Sequence, residues 1–157
     1  MGVIIAFDRI QEKERGGDGE MRPTSVRAGT LPKDPRKLPT EGTEQATLFS
    51  WAAMQSGRHP ELRLLFHIPN GGSRGKAEAG RFKAEGVKAG VPDLFLPVAR
   101  GIWHGLFIEM KRQKGGRVSD AQREWLSDLE REGYRAAVAC GWQEAAEIIL
   151  EYLEGRT

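Results

Sequence analysis

The sequence predicts an α/β domain in which a central mixed β-sheet of about four strands is flanked by helices. Apolar runs of strand length recur at residues 62–68, 93–96, 105–111 and 134–139. Segments with apolar residues at helical spacing alternate with these runs and are bounded by capping or turn residues. The resulting order is helix, strand, helix, strand, strand, helix, strand, helix. The middle strands then pair as a hairpin, and the last strand joins by a helical crossover.

Residues 1–39 precede this pattern. Apart from Val3-Ile4-Ile5-Ala6-Phe7, they mix Gly, Pro and charged residues without a sustained period, as in Gly16-Gly17-Asp18-Gly19 and Leu31-Pro32-Lys33-Asp34-Pro35. They are expected to form a flexible N-terminal segment, with the folded domain spanning residues 40–154. Thr40, followed by Glu41 and Glu44 and then Leu48, Phe49, Trp51, Ala52 and Met54, reads as a capped amphipathic helix ending near Ser56-Gly57. The first strand is expected over Leu62 to Ile68, stopped by Pro69 and the turn Asn70-Gly71-Gly72. A basic helix is expected from Arg74 to Lys83, ending at Gly86. After the hairpin, Ser119 and Gln122 have the spacing of a capping box and open a helix that carries Trp125, Leu126 and Leu129 and closes at Gly133. Tyr134 to Ala139 is the fourth strand, and Trp142 to Leu153 a final helix with Ala145, Ala146, Ile149, Leu150 and Leu153 inward.

A chain of 157 residues suits one domain. The longest apolar stretches have strand length, which argues against a membrane span, and the N-terminus lacks a basic region leading into an apolar core and cleavage site. A cytoplasmic protein is expected. Cys140 is the only cysteine, so an internal disulfide and a thiolate zinc cluster are both excluded. Its neighbours Ala136 to Ala139 make a buried strand thiol the expectation. His59, His67 and His104 lack the spacing of a zinc site.

The net charge of +2 is too small to name a partner, but its distribution is informative. Arg74, Lys76, Arg81, Lys83 and Lys88 precede the hairpin, and Lys111, Arg112, Lys114 and Arg117 end it. Both clusters flank two acids, Asp93 and Glu109. Side chains alternate along a strand, so Glu109 and Lys111 share a face with Phe107, while Leu106, Ile108 and Met110 take the other. In a hairpin whose loop centres on Gly101, Phe95 falls opposite Phe107 and Asp93 opposite Glu109. Pairing the apolar residues therefore also pairs the acids. Like charges about 4 Å apart repel by roughly 4 kcal/mol at an effective dielectric near 20, so this pair calls for a cation or a shared proton. Mg²⁺ or Mn²⁺ held by Asp93, Glu109 and the Met110 carbonyl is the economical answer. Basic residues around such a centre suit a phosphate polymer. The alternative is a solvated strand in which Glu109 and Lys111 face their opposites.

Pro92-Asp93 together with Glu109-Met110-Lys111 resembles the motif of the PD-(D/E)xK nuclease superfamily. Thr40-Glu41, Ile68-Pro69-Asn70-Gly71-Gly72 with Arg74, the run from Gly86 to Leu94, and Ser119-x-x-Gln122 resemble its virus-type replication-repair nuclease branch, VRR-NUC. The resemblance covers residues 40–153. It implies a restriction-endonuclease-like core and a metal-dependent deoxyribonuclease, similar to homodimeric enzymes selective for branched DNA such as four-way junctions, in DNA repair, DNA recombination or phage settings. It implies that Asp93, Glu109 and Lys111 form the catalytic core, joined by a first-helix glutamate. Glu41 follows a threonine, with Gln45 one turn later on its face, and Glu44 also follows a threonine, so both stand as candidates for catalysis and metal binding. Gln122 is placed near the site by resemblance and in a capping box by position. Asn70, Arg74, Lys76, Lys88, Arg112 and Lys114 are the candidate DNA contacts, although Asn70 is also a turn former. The alternatives are a restriction-like or replication-fork nuclease with another substrate preference, and a DNA-binding module without catalysis.

Overall fold

The computed structural model of the protein describes residues 38–69, 80–82, 84–114 and 116–156. Helix α1 (Glu41–Gln55) starts where Thr40, in extended backbone, caps it: the Thr40 hydroxyl accepts the Thr43 N–H at 3.2 Å. Glu44, Leu48 and Ala52, successive residues four apart, are its buried residues. A 3₁₀ turn (Pro60–Leu64) follows, where a strand was expected over residues 62–68. The reason for this correction is local. Leu62 N–H and Leu65 N–H donate to carbonyls three residues back, which sends Leu62 and Leu65 inward and leaves Leu64 exposed. Only the end of the run remains extended, as strand β1 (Phe66–His67). Of the expected basic helix, residues 80–82 and 84 are helical, while residues 70–79 and 83 lie outside the described residues.

Strands β2 (Leu94–Leu96) and β3 (Leu106–Lys111) pair antiparallel with Phe95 opposite Phe107, the expected register. Helix α2 (Asp120–Arg131) leads to strand β4 (Arg135–Cys140), which runs parallel to β3, and helix α3 (Trp142–Leu153) closes the fold. The sheet order is β1-β2-β3-β4. A helical crossover between the parallel strands β3 and β4 is what the order of elements required.

The two faces of the sheet differ in composition because of the alternation within β3. Leu106, Ile108 and Met110 form one core with Leu94 and Leu96 of β2, Leu48 and Ala52 of α1, and Ala145, Ala146 and Ile149 of α3. Burying each large aliphatic side chain contributes about 1.5–3 kcal/mol, so this layer is the main source of stability. Tyr152 lies in the same core and its hydroxyl donates to the Val98 carbonyl at 2.6 Å, tying α3 to the chain after β2. On the opposite face Phe95 stacks on Phe107 with centroids 4.1 Å apart, and the rings of Phe66 and Tyr134 meet them edge-on. Helix α2 packs against β4 and sends Gln122 to Glu109. Glu109 and Lys111 emerge on this second face, one pleat beyond Phe107.

The Cys140 thiol is exposed, contrary to the expectation of a buried one. Ala139 takes the core-facing position, so the next residue, the last of β4, turns to the other face at the open end of the strand. Among the described residues, no helix is long and apolar enough to cross a membrane.

Candidate active site

Asp93 immediately precedes β2, and its backbone and side chain are fixed separately. Its carbonyl accepts the Ile68 N–H at 2.7 Å and pairs with His67 Nδ1 at 2.9 Å, where the imidazole must be the donor. Its carboxylate crosses to β3: Oδ2 accepts the Met110 N–H at 2.9 Å. A strand residue directs its N–H and C=O to the same edge, so the Met110 carbonyl also faces the Asp93 side. Sequence reasoning missed the role of His67, since a lone histidine on a strand carries no signal for a carbonyl 26 residues away.

Glu109 and Lys111 are buried, at 2% and 7% exposure. Lys111 Nζ donates to Glu109 Oε1 at 2.7 Å. Gln122 Nε2 donates to the same oxygen at 2.5 Å, while its Oε1 accepts the Ser119 N–H at 2.9 Å and the Ser119 hydroxyl accepts the Gln122 N–H. One glutamine thus closes the capping box of α2 and orients a carboxylate on β3. Both sequence readings of Gln122 hold together. Burial pushes the Glu109 carboxyl up to about 7, helped by the neighbouring Asp93 charge and opposed by the Lys111 ammonium. Asp93 and Glu109 therefore adjoin, the Asp93 charge adding to the rise of Glu109, as the hairpin register implied.

The two first-helix candidates are placed differently. Glu41 is exposed in the first turn of α1. Glu44, one turn deeper, is 1% exposed, and its Oε2 accepts the Trp142 N–H at the start of α3 at 3.0 Å. That N–H adjoins Gly141, whose own N–H donates to the Lys111 carbonyl at 2.9 Å. Glu44 is thereby held at the end of the sheet where β3 finishes. Its Oε1 is buried without a hydrogen-bond partner among the described residues, an acceptor that costs free energy unless something electropositive meets it.

These donors fit a hard divalent cation. Two carboxylates adjoin with one of them resisting ionisation, a carbonyl faces the same side, and every candidate ligand atom is oxygen. Among the described residues no three His, Cys, Asp or Glu side chains gather into one metal-binding group. The core of the fit is thus Asp93, Glu109 and the Met110 carbonyl, with Glu44 at the same end of the sheet.

Of the candidate DNA contacts, Lys88, Arg112 and Lys114 are exposed. Lys88 lies over the Trp125 ring, 5.9 Å from its centroid. Asn70, Arg74 and Lys76 fall outside the described residues.

Comparison with known proteins agrees with this geometry. The family model for the VRR-NUC domain matches residues 40–143. A solved VRR-NUC domain protein is 35% identical over 75% of this chain and 91% of its own, with a TM-score of 0.65. No curated protein matches significantly. With the family model spanning most of the folded region and the Asp93, Glu109 and Lys111 constellation in place within it, the chain belongs to the VRR-NUC family of nucleases.

Proposed function

We propose that the protein is a Mg²⁺- or Mn²⁺-dependent endonuclease that hydrolyses DNA phosphodiesters, selective for branched structures such as four-way junctions. The observation that carries the reading is the juxtaposition of Asp93 and the buried Glu109, with Lys111 bonded to the latter. Asp93, Glu109 and the Met110 carbonyl would hold the ion, with Glu44 rather than the exposed Glu41 as the first-helix acid. A bound ion would supply Lewis acidity toward the scissile phosphate and toward the attacking water.

The chain's own groups supply positioning and charge. The Met110 N–H fixes the Asp93 carboxylate, and Gln122 and Lys111 together fix Glu109 Oε1. Lys111 Nζ is a buried cation beside the carboxylates, where it offsets negative charge that builds on a phosphate in the transition state. Lys88, Arg112 and Lys114 are free of the core and hold backbone phosphates on either side. A homodimer suits this role, since a two-fold axis presents two sites to two strands of a symmetric junction. That arrangement fits work in DNA repair, DNA recombination or a phage life cycle, and these assignments rest on the family rather than on the geometry.

The test is incubation of purified protein with Mn²⁺ and labelled junction, flap, duplex and single-stranded DNA. Preferential cutting of the junction is expected. Equal cutting of all four defeats structure selectivity, and no cutting of any defeats the nuclease reading.

A further inference from the structure

Gln122 and Trp125 are three residues apart on α2 and so share a face. Gln122 reaches Glu109, and Trp125 reaches the loop that leads into Asp93. The indole Nε1–H donates to the Ala89 carbonyl at 3.1 Å, and the Lys88 ammonium lies 5.9 Å from the ring centroid. Gly90 presses this loop onto the helix. At φ +87° it adopts a backbone that side-chain-bearing residues rarely take, and a Cβ there would meet the Ala121 backbone at 2.8 Å. Lys88 makes no ion pair with a described carboxylate, so the ring face holds its charge without neutralising it.

Resting on the nuclease reading, we propose that Trp125 is a positioning residue that holds Lys88 beside the active site as a cation for a DNA backbone phosphate. A free lysine at position 88 would sample many rotamers. The ring restricts it, and the hydrogen bond to Ala89 locks the ring to the same loop. One helix face thereby sets both Glu109, which would hold the ion, and Lys88, which meets a phosphate nearby.

The experiment is a double-mutant cycle read by DNA binding, not cleavage, with a fluorescein-labelled four-way junction in EDTA across a series of salt concentrations. Variants are K88Q, W125L, W125F and K88Q with W125L, each checked for folding by its melting temperature. K88Q should lower the slope of log affinity on log salt by about 0.9, the effect of one lost phosphate contact. W125L should reproduce most of that loss while Lys88 is present and add nothing in the K88Q background. W125F, which keeps a ring face but loses the indole N–H that locks it to the loop, should fall between the parent and W125L. Equal losses from W125L in both backgrounds would show a merely structural tryptophan and overturn the proposal, as would a salt slope that W125L leaves unchanged. Absence of junction binding by the parent protein would instead overturn the nuclease reading on which the proposal stands.

Discussion

Glu109 should make the metal-free protein less stable as the pH rises, which is unusual for a carboxylate that has a lysine partner. In the folded state its carboxyl is raised from 4.5 to about 7, with burial the largest cause, the Lys111 hydrogen bond opposing it, and Asp93 adding to it. Between these two values the folded chain keeps a proton that the unfolded chain releases. Glu109 therefore contributes its stability fully below pH 4.5, and that contribution is lost as the pH rises through 7. A separation of this size corresponds to on the order of 3 kcal/mol between the two limits. The perturbation is E109Q, which cannot titrate, and the assay is urea unfolding in EDTA at pH 5 and pH 8. Relative to the parent, E109Q should gain roughly 2–3 kcal/mol on going from pH 5 to pH 8, since part of the full difference already falls below pH 5. D93N, which removes the charge that raises Glu109, should show a weaker pH dependence than the parent. A stability difference between E109Q and the parent that is the same at both pH values would mean that Glu109 is not held protonated by the fold.

Three further outcomes follow from the same contacts. E44Q should lose cleavage on the order of 100-fold, equivalent to about 2.7 kcal/mol, whereas E41Q should stay within a few-fold of the parent; timed cleavage of labelled junction DNA compares them. K111A leaves Glu109 buried without its cation and should cost about 3 kcal/mol at pH 8, with a smaller loss at pH 5 where Glu109 holds a proton; urea unfolding at both pH values checks it. G90A places a Cβ 2.8 Å from the Ala121 backbone at positive φ and should destabilise by at least about 2 kcal/mol, read as a lower melting temperature.

The hairpin was legible in the sequence because strand alternation is rigid. Once Phe95 is set opposite Phe107, the side of every neighbour is decided, and the acids fall together. The capping box at Ser119 and Gln122 was equally legible, since it depends on spacing alone. Which of the two first-helix glutamates lies buried was not. Glu41 and Glu44 both fall on the side of α1 that carries Leu48, so helical periodicity cannot separate them. Depth along the helix does: Glu44 is a turn further in and meets the N–H of Trp142, 98 residues away in the chain. The run from Leu62 to Ile68 also misled, because its apolar residues fit a strand as well as a 3₁₀ turn. Its signal was Pro60 followed by leucines at 62 and 65, a three-residue spacing that buries both. The Trp125 contacts with Lys88 and Ala89 bridge about 36 positions and depend on how α2 docks, which no local pattern encodes.

Asp93, Glu109 and Lys111, with a divalent ion, are the groups proposed to cut DNA. The most direct measurement compares the parent protein and E109A for binding and for cleavage of the same labelled four-way junction, with Mn²⁺ and with EDTA. The parent should cut with Mn²⁺ and not with EDTA, and E109A should bind the junction yet leave it intact. Cleavage by E109A at the parent rate, or by the parent in EDTA, would contradict it.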